Sequence, residues 1–445
     1  MNDNSENAKG LNRRDFLRLG STGAVTVALG GMGAIKASAQ QAPPAGAPPT
    51  AGQQPGADQA AAQLAGKLPL RRYGRTGLQI SSIVGASDWS PDVIPLAVQA
   101  GVNYWHKANA WSKSSKRGPV PDAIKSQPRE SYYLEATVDR LSGYLAGPVG
   151  DADHFYNYIK GAVKAADIGY YDVLKFHFGY HSIDEVKTQT GFVDAFQRLK
   201  NEGLVKHLAL SQHHFANSTQ FPGGQTAYEI LPWVMDNTPY EAAQFFCSYS
   251  GDSGRGPSPV KDVLALIDLC KQKDFGTIAM KTMTGVGRAA TNKQFQALLA
   301  DPKYASSTPG SAIVKWVMSN QNLSAATICC ASFDQFLENY KAAMQPAMTH
   351  NDYHTLELLT AFNKGTTCLL CADCSTHCPE EIAIVDILRY ERYALDYHDL
   401  SRARAEYKTL TKNGTSCIAC GDCMPSCKAD INIVSKLKEV HKLLG

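Results

Sequence analysis

The sequence predicts an α/β chain in which a (β/α)8 barrel is followed by a small, helix-rich cysteine module, and three observations carry that expectation. Eight short apolar runs alternate with longer amphipathic stretches between residues 67 and 350. Of the 12 cysteines, most fall within 368–427, in two runs of identical spacing. Ahead of the barrel, residues 1–66 lack the apolar pattern of a packed core. The chain as a whole is 44% hydrophobic and 19% charged, which is enough apolar side chain for a packed interior. Its 44 Lys+Arg against 41 Asp+Glu leave a net charge of +3, far from the basic footprint of a nucleic-acid binder. No stretch reaches the roughly 18–20 uninterrupted apolar residues that span a bilayer.

Residues 1–39 read as an address. Arg13-Arg14 stand before Phe16-Leu17, a mild apolar run covers 20–35, and Ala37-Ser38-Ala39 is a small-x-small cleavage site. The paired arginines resemble the twin-arginine signal type, which implies export of a folded protein to the periplasm or another exported location. Residues 40–66 are rich in Pro, Ala and Gln and read as a disordered linker.

The barrel, 67–350, follows. Strands are expected at 82–85, 102–106, 132–136, 172–177, 207–211, 242–246, 277–280 and 325–329. Helices are expected at 91–100, 152–166, 191–201, 260–273, 310–318 and 333–343, with a poorly marked one between 119 and 127. An open doubly wound sheet is the alternative, and it needs a glycine-rich phosphate loop after the first strand. No G-x-G-x-x-G stands there.

The module, 351–445, is defined by its thiols. Cys368, Cys371, Cys374 and Cys378 read C-x2-C-x2-C-x3-C, with Pro379 next; Cys417, Cys420, Cys423 and Cys427 repeat the spacing, with Lys428 in the proline's place. In such paired runs the fourth cysteine ligates the other run's cluster. The spacing therefore assigns one 4Fe–4S cluster to Cys368, Cys371, Cys374 and Cys427, and a second to Cys417, Cys420, Cys423 and Cys378. Zinc or disulfides are the rivals, and exported proteins do favour disulfides. Zinc ligands, however, come in pairs rather than in repeated three-plus-one runs. Helical spacing at 382–397, 400–410 and 431–444 makes the module similar to the helix-rich, ferredoxin-like dicluster domains of redox enzymes. Cys247, Cys270, Cys329 and Cys330 read as small apolar packing residues.

Several segments of the barrel, in order, resemble the aldo/keto reductase family. Arg72-Tyr73-Gly74-Arg75-Thr76-Gly77-Leu78 with Ile80-Ser81 looks like its N-terminal hairpin, and Ala100-Gly101-Val102-Asn103-Tyr104 like the entry to its second strand. Residues 172–177 are similar to its fourth strand and 203–211 to its fifth. The resemblance implies a possible NADP site at Ser211, Gln244, Lys281, Ser332, Gln335, Glu338 and Asn339. It also implies a tetrad of Asp, Tyr, Lys and His, and here the chain departs. The motif Asp-Thr-Ala-x-x-Tyr stands as His106-Lys107-Ala108-Asn109-Ala110-Trp111, no lysine occupies Ala136-Thr137, and only His177 matches. An indole N–H does not readily release its proton, so Trp111 cannot replace the phenol and ordinary carbonyl reduction is expected to be absent or crippled. Cys329-Cys330 stands where the family has Pro-Gly near the cofactor, which speaks against a nicotinamide.

Strand ends are still expected to bring Asp88, Trp89, His106, Lys107, Trp111, His177, Ser211, His213, Gln244 and Lys281 to one face, with His214 beside them. Of these, His106, His177, Lys107 and Trp111 are the candidate catalytic set: the histidines titrate near neutrality and a lysine can stabilise an anionic oxygen. Three functions stay open. The first is an exported iron–sulfur oxidoreductase that exchanges electrons with a redox protein or carrier and acts on a small molecule in the barrel mouth. The second is a non-enzymatic electron-transfer or docking subunit of a periplasmic complex. The third is an NADPH-linked aldo/keto reductase.

Overall fold

The computed structural model describes residues 56–86, 89–108, 120–139, 151–177, 179–213, 223–252, 257–300 and 307–445. The stretch 1–39 that reads as a signal, most of the stretch that reads as a linker, Asp88, Trp111 and His214 lie outside the described residues.

A short antiparallel hairpin, β1 (Leu70–Arg72) and β2 (Gln79–Ser81), opens the barrel. Its turn passes through Gly74 and Gly77, both at positive φ. A Cβ on Gly74 would lie 2.0 Å from the backbone nitrogen of Gly276, so only glycine lets the hairpin close against the sheet there. Eight parallel strands follow: β3 (Ile83–Val84), β4 (Tyr104–Ala108), β5 (Tyr133–Asp139), β6 (Tyr171–His177), β7 (Val205–Gln212), β8 (Ala242–Phe246), β9 (Gly276–Met280) and β10 (Ala325–Thr327). They pair in the order β3-β10-β9-β8-β7-β6-β5-β4. A parallel bridge between Gly85 and Trp105 joins the first strand to the last, with Gly85 N–H donating to the Tyr104 carbonyl at 2.9 Å. The ring is therefore closed, and the chain folds as a (β/α)8 barrel, as the alternating runs predict. All eight expected strands are present within a few residues of their expected ends.

Helices between the strands cover the outside. One of them, Ala227–Asn237, the sequence pattern does not mark. It contains Pro232, yet a reciprocal cap between Thr226 and Glu229 starts it and Ile230, Leu231 and Val234 bury its inner side. Another difference lies at the front. Ala57–Ala61, inside the stretch read as linker, is helical, and Ala60 is buried. The Tyr340 hydroxyl ties down the following residues, donating to the Gly66 carbonyl and accepting from Ala65 N–H.

The lower end of the barrel is filled. Tyr73 from the hairpin joins Val84, Tyr104, Val173, Ala209, Ala242, Ile278 and Ala325 in one buried cluster at the N-terminal ends of the strands. Any opening to the interior must then be at the opposite end, where the strands' C-termini lie.

The cysteine module has its own core, built on Ile384, Ile387, Leu388, Ala403, Tyr407, Ile433, Leu437, Val440 and Leu444 together with three of the thiols. Its two halves repeat. Leu370 and Ala372 in the first cysteine loop, and Ala419 and Gly421 at the equivalent places in the second, all have positive φ. Glu381 and Asp430 match in the same way after the fourth cysteine of each run. Each run then feeds a helix, Ile384–Leu395 and Ile433–Leu444. Among the described residues no helix is long and apolar enough to cross a membrane.

Candidate functional site

Two regions bring chemistry together, the interior and mouth of the barrel and the paired cysteine loops. In the barrel, side chains alternate along each strand, so His106 stands one layer above Tyr104, and His177 above Lys175. His106 and His177 are partly exposed. His213, at the end of β7, is buried and meets His177 edge to face at 5.5 Å between ring centroids. Ser211 is wholly buried, its hydroxyl 3.8 Å from the Met280 sulfur. Lys281 follows β9 in a left-handed conformation and is exposed. Lys107 has its backbone in β4. Trp89, expected at the mouth, is packed away: its indole N–H donates to the Ile328 carbonyl at 2.6 Å and its ring lies edge-on to Trp105 and Phe336.

Beneath the histidines lies a group that the sequence pattern does not single out. Glu135 and Lys175 form an ion pair at 2.7 Å, both with almost no exposed surface. The Tyr104 hydroxyl donates to the other Glu135 oxygen at 2.6 Å, and the Thr137 hydroxyl donates at 2.8 Å. Lys175 also donates to Gln244 Oε1 at 2.5 Å, and the Gln244 amide donates to Thr327 at 2.7 Å. Lys175 on β6 reaches β8 past β7, which is possible only across the barrel interior. Burial pushes the Glu135 carboxyl up, but the charges of Lys175 and His106 and the bonds from Lys175 and Tyr104 hold it below its usual range.

A tyrosine and a lysine thus do meet in the interior, on opposite sides of a carboxylate, although the tetrad positions of Tyr and Lys are lost. The arrangement does not rebuild a phenolic acid. Burial, then the Glu135 charge and Tyr73, push the Tyr104 hydroxyl well above its ordinary value, the reverse of what a proton donor needs. The signal was in the sequence: Glu135 and Lys175 are charges inside otherwise apolar parallel strands, where a charge must find a partner.

Five of the seven residues expected to hold a nicotinamide are bonded within the fold. Gln244 is part of the interior network. Ser332 caps the helix Phe333–Met344, and Gln335 accepts from Ala331 N–H at 2.8 Å. Glu338 accepts from the Thr308 hydroxyl and from Ser311 N–H, at the start of a neighbouring helix. Asn339 is buried, its amide 3.4 Å from the Cys330 sulfur.

In the cysteine module the thiols sort into two cavities. One is lined by Cys368, Cys371, Cys374 and Cys427, with Ala372, Val385 and Leu388. The other is lined by Cys378, Cys417, Cys420 and Cys423, with Ile382, Ile384 and Leu437. Each cavity takes three cysteines from one run and the last from the other, the crossed grouping expected from the spacing. Burial pushes the Cys368 and Cys374 thiols up to about 12, and those of Cys371 and Cys423 also rise. Thiols gathered in such apolar pockets need a cationic centre to become thiolates. The backbone already turns N–H groups on the sulfurs: Leu370 N lies 3.3 Å from Cys368 Sγ, and Ile431 N 3.3 Å from Cys427 Sγ. Among the described residues no three His, Cys, Asp or Glu side chains are grouped to hold a single metal ion. Each quartet lines its own cavity.

A buried chain of charges joins the two regions. Arg392 of the module donates to Asp252 of the loop after β8 at 3.2 Å and to the Cys368 carbonyl at 3.1 Å. It also meets Asp396 at 3.3 Å. Arg288, after β9, pairs with Asp396 at 3.0 Å and Glu391 at 3.3 Å. Lys436 completes the chain on Glu391 at 3.0 Å. The module therefore sits on the strand-end face of the barrel, with the Cys368 side toward it.

No family model matches the sequence, and no curated protein matches it. Two solved structures from Pseudomonas aeruginosa, each carrying a provisional aldo-keto reductase name, are similar in fold. One has a TM-score of 0.46 at 15% identity, the other 0.45 at 16%, and each match covers 64% of this chain and 98% of that one. At that level of likeness neither lends its activity to this chain, and the barrel assignment stands on the strand order itself.

Proposed function

We propose that the chain is an exported iron–sulfur oxidoreductase in which two 4Fe–4S clusters exchange electrons with a redox partner and a small molecule is handled at the barrel mouth. The observation that carries this reading is the three-plus-one sorting of eight thiols around two apolar cavities. The residues fit such groups: Cys368, Cys371, Cys374 and Cys427 would hold one and Cys378, Cys417, Cys420 and Cys423 the other, with N–H groups of Leu370 and Ile431 directed at sulfur. Bound there, the clusters would supply one-electron storage and transfer.

At the mouth, His106 and His177 are the groups able to hold or move a proton near neutral pH. Glu135 lends His106 a negative neighbour, and Lys175 keeps that carboxylate charged. Lys281 is an exposed cation at the same end for an anionic oxygen. The engagement of Ser332, Gln335, Glu338 and Asn339 in the fold's own bonds counts against an NADPH-linked reductase.

Protein purified without oxygen is expected to contain about eight iron atoms and as much acid-labile sulfide per chain. Zinc in place of iron, or thiols fully paired as disulfides, would overturn the reading. Export is tested separately. Changing Arg13 and Arg14 together to lysine is expected to trap the chain, iron included, in the cytoplasmic fraction. Unchanged export of that variant would remove the twin-arginine assignment.

A further inference from the structure

Resting on the cluster reading above, we propose that Arg392 is a tuning residue for the inner centre: its fixed positive charge keeps the site of Cys368, Cys371, Cys374 and Cys427 reducible in a place where burial opposes reduction. The two quartets differ in surroundings. Around the inner one, Cys368 and Cys374 are buried. Around the outer one, Cys420 is exposed and Ile418 is 62% exposed. An added electron makes a thiolate-ligated cluster more negative, and a low-dielectric pocket raises the cost of that charge. Water can offset the cost at the outer site. At the inner site a buried cation must do so.

Arg392 is the cation so placed. Its guanidinium is almost fully buried and holds the carbonyl of Cys368, so it is fixed against the ligand loop. Its charge also acts on the Cys368 thiol itself. The other charges nearby fall into two sets. Lys428 beside Cys371 is paired with Asp373 at 2.6 Å, so its charge is locally cancelled. Asp252 accepts from the same Nη1 that bonds the Cys368 carbonyl, Asp396 meets Nε, and Arg288 in turn neutralises Asp396. The chain of charges is balanced as a whole, and the Arg392 guanidinium is its member bonded to the ligand loop. An arginine remains charged at every relevant pH, which makes the effect constant rather than switchable.

The test is a potentiometric titration of the full-length protein, followed by low-temperature electron paramagnetic resonance. Cys420→Ala removes a ligand of the outer quartet and identifies the midpoint of the inner centre as the one that remains. Arg392→Gln is expected to weaken electron uptake at that centre at least tenfold, a shift of about 59 mV to more negative potential. Arg392→Lys is expected to restore most of it. If Arg392→Gln does not fold, the double variant Arg392→Gln with Asp252→Asn removes both members of a buried pair, and a smaller shift in the same direction is expected. An inner midpoint that stays in place with full iron content, or a shift confined to the outer centre, overturns the assignment. A wild-type protein without iron overturns the cluster reading itself, and this shows in metal analysis before any titration.

Discussion

Lys175→Met is expected to destabilise the barrel by about 3–5 kcal/mol, the usual cost of leaving a buried charge without its partner. Glu135 would keep its bonds from Tyr104 and Thr137 but lose the ammonium at 2.7 Å. The Glu135→Gln, Lys175→Met double variant is expected to recover most of that loss, because no lone charge is left behind. Denaturant midpoints by circular dichroism check both. The pH dependence separates this from a simple packing defect. In the wild type the Glu135 carboxyl lies below its ordinary value. Its contribution is therefore complete above the unfolded carboxylate's range and is lost as pH falls through the still lower folded value. In Lys175→Met the folded carboxyl rises instead, so the unfolded chain ionises first and stability falls as pH increases. Acid below the unfolded carboxylate's range should weaken the wild type, whereas the variant gains stability as pH falls. Parallel curves would show that the pair carries no charge in the fold.

The second large effect concerns which cysteines act together. If the cavities define the sites, Cys427→Ala with Cys371→Ala damages one centre only and should leave about four irons per chain. Cys427→Ala with Cys420→Ala damages both and should leave almost none. Uncrossed ligation reverses the two results, since Cys420 and Cys427 belong to one run. Iron analysis on the same preparations decides it, with chain recovery as the control for folding.

The strands were legible because parallel strands in a barrel are short, apolar and evenly spaced, and the grouping of the cysteines because the spacing within each run is a local property. Other features depended on register. Glu135 and Lys175 each read as an odd charge in a strand; only the alignment of Thr137 with Lys175 puts them on one inner face. Arg392 and Asp252 are 140 positions apart, and no periodicity links them. The helix Ala227–Asn237 was hidden by Pro232, which breaks a pattern without breaking that helix. Trp89 looked like a mouth residue because it follows a strand, but its ring found more apolar surface behind the sheet than above it.

The seam between barrel and module has one further implication, through its glycines. A methyl group at Gly287 would lie 2.2 Å from the Asp396 carbonyl oxygen, and one at Gly285 would strike the Asn363 amide at 2.0 Å. Two surfaces that leave no space for a single carbon have no clearance for a swinging arm. On the proposed reading, any shuttling between donor and acceptor then falls to the visitor, and the cysteine-rich end would work as a fixed terminal rather than a tethered courier.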